Sequence, residues 1–313
     1  MKEFSHIPVM LEECMDGLNI KKDGVYFDGT VGGGGHSSEI LKRSAPDGRL
    51  LATDLDDDAI KAATDRLSEY DGRFRIFKSD YKDYEKVLKS AGVEELDGVL
   101  LDFGVSSFQL DCEERGFSYM KASAPLDMRM NRASGLTAED VVNGYTAKEL
   151  TRILRDYGEE KFAPQIASNI VKARESKRLK TCGELVEIIE SSIPAKFRQN
   201  GPCARKSFQA IRIAVNGELE GLYDCVTGLA SKLKKGGRIV ILTFHSLEDR
   251  IVKQAFKYLE TGCICNKNLP VCVCGKKQEI EIITKKPITA SVKEMALNSR
   301  SKCAKLRIAE KII

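Results

Sequence analysis

Apolar and polar positions follow two different periods along the first hundred residues of the chain. Short apolar runs of strand length are separated by segments in which apolar residues recur at helical spacing. The predicted strands cover residues 24–30, 48–56, 74–80 and 96–104, and the predicted helices cover 36–45, 58–70 and 84–92. Strands that alternate with helices of this length indicate parallel βαβ units, so we expect an open, doubly wound α/β sheet.

A helical pattern replaces this alternation in the middle of the chain. Thr146 and Thr181 are each followed three residues later by Glu, which is the sequence pattern of a helix capping box. Apolar residues recur every four positions on one predicted helix face, at Phe162, Ile166 and Ile170. These features predict a helical domain at 110–205, inserted into an α/β domain made of 1–109 and 206–313.

Sheet-like sequence returns near the end of the chain. Residues 236–246 predict a strand, preceded by helical sequence at 207–233 and followed by β-like stretches at 279–288 and 304–313. A doubly wound core that finishes with a helix and two such strands is typical of a methyltransferase-type sheet closed by an antiparallel hairpin. A dehydrogenase sheet would continue with further βα units.

Four consecutive glycines, Gly32 to Gly35, follow the first predicted strand. Backbone without side chains can approach a ligand closely. A P-loop ends in Gly-Lys-Ser/Thr, but His36 and two serines follow here, which argues against a P-loop. The dinucleotide fingerprint Gly-x-Gly-x-x-Gly also fits poorly, because its sixth position falls on a serine.

An acidic residue follows the glycines at the spacing expected for a nucleoside ligand. Asp54 ends the second predicted strand, where a carboxylate can accept hydrogen bonds from both hydroxyls of a ribose. Helix capping is the alternative for Asp54, and it is the expected role of the neighbouring acids at 56–58. S-adenosylmethionine carries this ribose without a pyrophosphate, so the pattern favours it over a dinucleotide.

Asp102, Phe103 and Gly104 end the fourth predicted strand, on the side of the sheet where open α/β folds bind ligands. Amino-group methyltransferases often place an acidic or amide group with an aromatic residue at this point. An acceptor here would hydrogen-bond a substrate amine and act electrostatically rather than as a strong base. The candidates are the carboxylate of Asp102 and the backbone carbonyls of Phe103 and Gly104.

Nine sequence blocks, in order along nearly the whole chain, resemble a known family. They are HIPVMLEE (6–13), FDGTVGGGGHS (27–37), LLDFGVSSFQLD (100–111), RGFSY (115–119), PLDMRMN (125–131), YGEEKFAPQIASNIVKAR (157–174), FQAIRIAVNGELE (208–220), FHSLEDRIVK (244–253) and AKLRIAEK (304–311). The chain resembles the MraW (RsmH) family of S-adenosylmethionine-dependent methyltransferases of small-subunit ribosomal RNA.

The resemblance implies a class I S-adenosylmethionine methyltransferase domain with an inserted all-helical domain. It also implies methylation of the exocyclic N4 amine of a decoding-centre cytidine in 16S rRNA of the small ribosomal subunit. Residues matched to the family's motifs would contact S-adenosylmethionine, namely Gly34, Gly35, His36, Asp54, Tyr81, Asp102 and Gln109. Gly32 and Gly33 are expected mainly to shape the turn, and the ring of Tyr81 would flank the adenine.

The chain departs from the family pattern at three places. Residues 202–207 read Pro-Cys-Ala-Arg-Lys-Ser where the family usually has His-Pro-Ala-Lys/Thr-Arg-Thr, so that histidine has no role here. Ala124 stands where the family has the glycine that begins Gly-Pro-Leu-Asp-Met-Arg-Met, and NSRSKC at 298–303 replaces Asn-Pro-Arg-Ser-Arg-Ser. Most of the positive charge is kept, so contact with RNA is still expected.

Two side chains are catalytic candidates, Asp127 beside Arg129 and His245 beside Asp249. His245 is one of only three histidines and follows a predicted core strand, although packing or helix capping is the alternative. The target base must reach the cofactor, so a flipped or single-stranded cytidine is expected. Aromatic residues that could stack on it, or equally lie in the core, are Phe103, Phe108, Phe117 and Tyr119.

Four of the ten cysteines fall in one short segment, as two Cys-x-Cys pairs: Cys263, Cys265, Cys272 and Cys274. Four thiolates this close could bind a structural zinc ion. Cys-x-Cys is less usual than Cys-x-x-Cys in zinc sites, so a plain loop is the alternative. Disulfides are the poorer explanation in a reducing cytosol.

The formal net charge of +4 is weak evidence for a polyanionic partner, but two basic segments stand out. One lies at 172–180 and the other at 284–313, and either can meet RNA phosphates or simply be solvated surface.

The first residues lack the apolar core of a signal peptide and no run is long enough to cross a bilayer, so a cytoplasmic protein is expected. A homodimer is an open alternative to a monomer. The competing functions are an amino methyltransferase of DNA or protein and a noncatalytic RNA-binding assembly factor.

Overall fold

The computed structural model describes residues 8–133, 135–200, 202–266 and 271–313. The chain forms two compact units, a sheet unit made of Met1–Gly104 and Glu220–Ile313, and a helical unit made of Val105–Leu219. The helical unit extends further at both ends than the helical insertion domain predicted at 110–205, and that domain division stays a prediction. Two residues of the first family block, at 6–7, lie outside the described residues, as do 267–270 between the cysteine pairs.

The first half of the sheet unit alternates helices and strands as predicted. Its elements are α1 (Leu11–Leu18), β1 (Val25–Asp28), α2 (Gly35–Arg43), β2 (Arg49–Asp54), α3 (Asp57–Leu67), β3 (Phe74–Lys78), α4 (Tyr84–Ala91) and β4 (Leu96–Asp102). Asp56 caps α3, its side chain accepting a hydrogen bond from the amide of Asp58, so the capping expected of this acid is confirmed. Helix α1 was not predicted; it buries Cys14, Met15 and Leu18.

The helical unit contains six helices in its described residues. They are α5 (Ser107–Asp111), α6 (Ala138–Gly144), α7 (Ala147–Asp156), α8 (Ala163–Ser176), α9 (Cys182–Ser192) and α10 (Arg205–Asn216). Both predicted capping boxes are formed, by Thr146 at the start of α7 and by Thr181 at the start of α9. On α8, Ile166 and Ile170 are buried as the four-residue spacing predicted.

The chain then returns to the sheet unit. Its remaining elements are α11 (Leu222–Ser231), β5 (Leu233–Thr243), α12 (Ser246–Glu260), β6 (Ile280–Ile282), β7 (Ile288–Thr289), α13 (Val292–Leu297) and β8 (Lys305–Lys311). The continuous helical sequence predicted at 207–233 is instead two helices, because Gly217 adopts a left-handed φ of 58° and ends α10. The β-like stretch predicted at 279–288 is likewise divided between β6 and β7.

The strands form one sheet in the order β3-β2-β1-β4-β5-β8-β6, with β7 also paired to β8. The pairs among β1 to β5 are parallel, whereas β8 is antiparallel to β5, β6 and β7. The last strand thus inserts between β5 and β6 rather than forming a simple hairpin at the edge. This order, with its single reversed strand, is that of the class I S-adenosylmethionine methyltransferase fold, so the predicted fold class is confirmed.

Each unit has its own hydrophobic core. In the sheet unit, α1, α2 and α3 cover one face of the strands, with Leu18, Ile40 and Leu50 fully enclosed. Phe117 lies in the helical core and Tyr119 packs against that core. Of the two roles expected for these aromatic residues, base stacking or packing, the structure shows packing. Among the described residues, no helix combines the length and the apolar character that crossing a membrane requires.

Candidate active site

The carboxyl ends of the central strands carry three acidic residues. Asp28 ends β1, Asp54 ends β2 and Asp102 ends β4. Strand β1 lies between β2 and β4, so the chain order of the strands reverses beside it. Open α/β sheets bind ligands at this switch point, outside the carboxyl ends of the strands. The acids therefore lie where this fold places its ligand.

The glycine loop packs closely against the rest of the sheet unit. At Gly34, where φ is 76°, a Cβ atom would lie 3.2 Å from Cα of Ala63 in α3. At Gly35 it would lie only 2.3 Å from Cγ of Pro8. A side chain at either position would separate α2 from its neighbours. At Gly32, by contrast, a Cβ atom would meet only the carbonyl oxygen of Thr30, at 3.9 Å.

Asp54 anchors this loop through its carboxylate. Its Oδ2 accepts a hydrogen bond from the amide of Gly32 at 2.9 Å, and its Oδ1 accepts one from the amide of Asp56 at 2.9 Å. Burial raises the pKa of Asp54 to about 6, although these two amide hydrogen bonds oppose the shift. Asp54 is therefore mostly ionised at neutral pH, as an acceptor for hydroxyl groups must be.

Asp28 connects β1 to the loop and to β4. Its carboxylate accepts hydrogen bonds from the hydroxyl of Ser37 at 2.6 Å and from the amide of Thr30 at 3.0 Å. The hydroxyl oxygen of Thr30 in turn accepts a hydrogen bond from the amide of Asp102 at 2.7 Å. Burial raises the pKa of Asp28 against the hydrogen bonds from Ser37 and Thr30. Asp28 thus fixes the loop and the end of β4 relative to each other.

Asp102 has the most perturbed carboxyl group of the three. Burial raises its pKa to about 8, and the charges of Asp28 and Glu248 add to the effect. Its Oδ1 is buried and has no hydrogen-bond partner among the described residues. A buried carboxyl oxygen without a partner costs free energy, and a cationic or hydrogen-donating ligand would remove that cost.

His36, in the first turn of α2, lies beside this carboxyl group. Its Nε2 is 3.0 Å from the carbonyl oxygen of Val9, and because a carbonyl can only accept, Nε2 is the donor. Its Nδ1 is 3.7 Å from Oδ2 of Asp102. The imidazole therefore joins α2, the segment before α1 and the end of β4.

Tyr81 begins a short 3₁₀ turn after β3. Its ring centroid is 5.5 Å from that of Phe103, which follows β4. A Cβ atom on Gly29 would lie 2.8 Å from Cβ of Tyr81, so glycine is required where the chain leaves β1. These contacts place the Tyr81 ring next to the carboxyl ends of β1 and β4. The side chain of Asp80 caps the 3₁₀ turn that Tyr81 begins.

Two predicted site residues belong to the helical unit and make local contacts there. The side-chain oxygen of Gln109 accepts a hydrogen bond from the amide of Ser106, completing a capping box for α5. Asp127 binds Arg129 through two hydrogen bonds of 2.9 and 2.8 Å. Burial alone would raise the pKa of Asp127, but the hydrogen bonds and charge of Arg129 outweigh it and lower the pKa. An ion-paired carboxylate of this kind is a weak proton acceptor.

His245 caps helix α12, as its alternative interpretation proposed. Its Nδ1 accepts a hydrogen bond from the amide of Glu248 at 3.4 Å, and its Nε2 is 3.0 Å from Oε1 of Glu248. The neighbouring Asp249 binds Arg307 at 2.6 Å and Lys305 at 3.2 Å. These contacts give both residues structural roles, and a catalytic role for His245 stays a prediction.

Comparison with known proteins identifies the family. The sequence profile of the MraW methylase family matches residues 3–312. The chain belongs to the MraW methylase family. It is 53% identical over 310 residues to ribosomal RNA small subunit methyltransferase H 2 of Agathobacter rectalis, covering 99% of both chains. It is 51% identical over 311 residues to ribosomal RNA small subunit methyltransferase H of Clostridioides difficile, covering 99% of this chain and all of the other.

The solved structures that resemble this MraW methylase family member are more distant. An rRNA methylase from Streptococcus thermophilus matches 99% of this chain and all of its own, with 9% identity and a TM-score of 0.42. The strand order shows the fold, and the sequence match shows the family.

The basic segments of this MraW methylase family member differ in how far their charges are already paired. At 172–180, Lys177 binds Glu184 and Arg178 binds Glu139, both at 2.6 Å. Near the end of the chain, Lys305 and Arg307 bind Asp249. The lysines with exposed side chains in the segment at 284–313 are Lys285, Lys286, Lys293 and Lys302.

Asp28 and Thr30 are site residues that the sequence interpretation missed. Asp28 lies directly before the glycine loop, in the same strand-ending position as Asp54 and Asp102. That shared position could have identified it. Thr30 had no such indication, because its contact with the amide of Asp102 joins residues 72 positions apart.

Proposed function

We propose that this protein transfers a methyl group from S-adenosylmethionine to the exocyclic N4 amine of a decoding-centre cytidine in 16S rRNA. The observation that carries the choice of substrate is the near full-length match to two ribosomal RNA small subunit methyltransferases at over 50% identity. We further propose that it acts in the cytoplasm on the small ribosomal subunit.

The charge of the site favours a cationic cofactor over a dinucleotide. Asp28, Asp54 and Asp102 gather carboxyl groups at the strand ends where a pyrophosphate would otherwise lie. The ionised carboxylate of Asp54 would repel a pyrophosphate, whereas a sulfonium or an ammonium group would be attracted to it and would favour ionisation of Asp102. The buried Oδ1 of Asp102 fits this group of ligands, because it has no other partner among the described residues. S-adenosylmethionine, when bound, supplies an electrophilic methyl group on a positively charged sulfur.

We assign the cofactor contacts to the residues around the glycine loop. Asp54 accepts hydrogen bonds from the ribose hydroxyls, and the ring of Tyr81 flanks the adenine. Asp102 holds the positively charged methionine end, with His36 beside its carboxylate. We also assign the backbone of Gly34 and Gly35 to contact with the cofactor, while their missing side chains let α2 pack against Ala63 and Pro8. Gln109, whose side chain already caps α5, is the remaining proposed contact.

The acceptor groups for the substrate amine follow directly after Asp102. The N4 lone pair of cytosine is delocalised into the ring, so the amine reacts more readily when hydrogen-bond acceptors favour its pyramidal form. The backbone carbonyls of Phe103 and Gly104 are such acceptors, and they need no proton transfer to function. Correct positioning supplies the remaining part of the rate enhancement, because the reaction is an in-line displacement.

We assign Asp127 and His245 to positioning roles, each within its own unit. Asp127 is held by Arg129 and has a lowered pKa, so we assign it to orienting the loop at 125–131 rather than to accepting a proton. His245 is tied to Glu248, and we assign it to fixing the entry of α12 after β5.

The choice among substrate classes can be tested by competition. Small ribosomal subunits lacking the modification, DNA, and a mixture of ribosomal proteins are offered together with labelled S-adenosylmethionine. The proposal predicts label in the RNA of the subunits. Label confined to DNA or protein supports the alternative amino methyltransferase, and failure of the cofactor to bind in calorimetry supports a noncatalytic assembly factor.

A further inference from the structure

The loop between α12 and β6 brings its four cysteines together. The Sγ atoms of Cys263, Cys265, Cys272 and Cys274 all lie within 4.8 Å of one another. Four of the separations are 3.5 Å for Cys263–Cys272, 3.9 Å for Cys265–Cys272, 3.6 Å for Cys272–Cys274 and 3.8 Å for Cys263–Cys274. The two Cys-x-Cys pairs thus converge on one point although 267–270 separate them along the chain.

These separations match the edges of a metal-centred tetrahedron. A zinc–sulfur bond is about 2.3 Å long, so neighbouring sulfur atoms around tetrahedral zinc are about 3.8 Å apart. A disulfide instead requires a sulfur–sulfur distance of about 2.0 Å, which none of the four separations approaches. The arrangement therefore has the size of a mononuclear site, which leaves no room for several metal ions between the sulfur atoms.

Backbone amides point at the same sulfur atoms. The amide of Ile264 donates to Sγ of Cys274 at 3.4 Å, and the amide of Cys265 donates to Sγ of Cys263 at 3.4 Å. The amide of Val273 donates to Sγ of Cys265 at 3.3 Å. Such hydrogen bonds orient the ligands of a metal and offset the excess negative charge of four thiolates around a dication.

The loop has no hydrophobic core in its described residues that would hold this arrangement. Its apolar side chains face solvent, with Ile264 56%, Val271 70% and Val273 76% exposed. Its base is fixed to the sheet unit, where the amide of Glu279 donates to the carbonyl of Leu259 at 2.9 Å and Lys276 lies 4.1 Å from the Tyr258 ring. A short segment without a core needs a crosslink or a metal to keep a defined structure.

We propose that Cys263, Cys265, Cys272 and Cys274 bind one structural zinc ion that fixes the loop between α12 and β6. All four coordination positions are taken by protein sulfur, so the ion has no open position for a substrate. Its function is to hold the loop, and it is independent of the proposed methyl transfer.

Metal analysis tests the site directly. The full-length protein is purified under anaerobic, reducing conditions, and its zinc content is measured by mass spectrometry together with that of Cys265→Ser and Cys272→Ser. Cys303→Ser is the matched control, because Cys303 is exposed in the same unit but lies outside the cluster. We expect one zinc ion per chain in the wild type and in the control, and loss of zinc in the two cluster variants.

Cobalt replacement tests the site in the wild-type protein, so its result does not depend on whether the variants fold. Wild-type protein stripped with a chelator and reloaded with Co²⁺ should show the thiolate charge-transfer and intense visible bands of tetrahedral cobalt. Chelation should also speed trypsin cleavage at Lys276 and Lys277 in the loop. The proposal is overturned by zinc-free wild type, by zinc retained in the cluster variants, by iron in its place, or by disulfides among these cysteines.

Discussion

At the scale of single residues, the three strand-ending acids show how position sets chemical character. Burial raises the pKa of both groups. Two amide hydrogen bonds oppose the shift at Asp54, whose pKa is about 6, whereas the charges of two acids add to it at Asp102, whose pKa is about 8. At neutral pH, Asp54 is thus mostly ionised and Asp102 mostly protonated. The same residue type therefore has two different protonation states at one edge of the sheet, and these states suit the two roles proposed for Asp54 and Asp102.

Replacing Asp54 should weaken cofactor binding, because it removes the charge offered to the ribose and one of the two acceptors that hold the loop amides. Asp54→Asn keeps one acceptor for the loop but removes the charge that strengthens hydrogen bonds to the ribose. Hydrogen bonds to a charged group contribute about 1.5–3 kcal/mol each, so the dissociation constant of S-adenosylhomocysteine should rise by roughly 10- to 100-fold in calorimetry. Asp57→Asn, an exposed acid of the same segment, is the control and should bind normally. Unchanged affinity in Asp54→Asn would remove Asp54 from the ribose site.

Cofactor binding should release a proton from Asp102. Its carboxyl group is mostly protonated at pH 7, because its pKa is about 8 in the free protein. A bound cation favours the carboxylate and lowers that pKa, so affinity should rise with pH up to about 8. Calorimetry at pH 7 in buffers of different ionisation enthalpy measures the released proton.

The control for this titration is Asp102→Asn, which has no ionisable group at this position. Its binding enthalpy should not depend on the buffer, and its affinity should be lower. A wild-type binding enthalpy that is the same in all buffers would contradict the role assigned to Asp102.

At the scale of secondary-structure elements, local sequence rules predicted the type and order of most elements, although many of their ends differ by one to three residues. Capping boxes depend on residues three apart, so Thr146 and Thr181 identified the starts of α7 and α9 correctly. The division of the sequence at 207–233 into α10 and α11 depends on the backbone conformation of Gly217, and periodicity does not detect it. Strands β6 and β7 are short because each pairs with only a few residues of β8. That pairing joins residues far apart in the sequence, so local patterns do not predict where it ends.

The cap of α9 provides a test at this scale. Glu184 accepts hydrogen bonds from Lys177 at 2.6 Å and from the amides of Lys180 and Thr181, and these contacts lower its pKa to about 2. A lowered pKa stabilises the folded state above the usual carboxyl pKa near 4.5, and this stabilisation is lost as the pH falls toward 2.

Glu184→Gln keeps an acceptor oxygen for the capping box but removes the charge, so it should lower the free energy of unfolding at pH 7 by roughly 0.2–1 kcal/mol. The difference from the wild type, measured by urea denaturation, should shrink as the pH approaches 2. Glu187→Gln on the exposed side of the same helix is the control and should have little effect. A difference that stays constant with pH would contradict this electrostatic explanation.

At the scale of the whole molecule, the sequence predicted the sheet class, because it follows from the alternation of strands and helices. The position of the site at the strand ends follows from the same alternation and stays a prediction. The limits of the helical unit, Val105–Leu219, were not predicted. Helix α10 belongs to the helical unit because Phe208 and Ile211 pack into its core. These contacts join residues far apart in the sequence, so the pattern near 205 does not predict them. Likewise, Arg307 forms an ion pair with Asp249. Counting basic residues along the sequence includes Arg307 in the exposed basic segment at 284–313 and does not detect this pairing.

RNA binding should depend on the exposed lysines near the end of the chain. The triple variant with Lys285, Lys286 and Lys293 replaced by Ala should bind small-subunit RNA more weakly. The slope of log affinity against log salt should become shallower by roughly 0.7–0.9 for each RNA phosphate that the variant no longer neutralises. A control variant with Lys22, Lys61 and Lys89 replaced by Ala changes the net charge equally. Equal weakening in both variants would show that net charge, not this segment, determines binding.

The most direct test of the proposed activity is identification of the product nucleoside. Small subunits lacking the modification are incubated with the protein and labelled S-adenosylmethionine, and their 16S rRNA is digested and analysed by mass spectrometry. The predicted result is label in a cytidine methylated at N4, with the Asp102→Asn variant strongly impaired. Label at a ring carbon, on a ribose or on another base would contradict the proposed function, as would subunits that remain unlabelled.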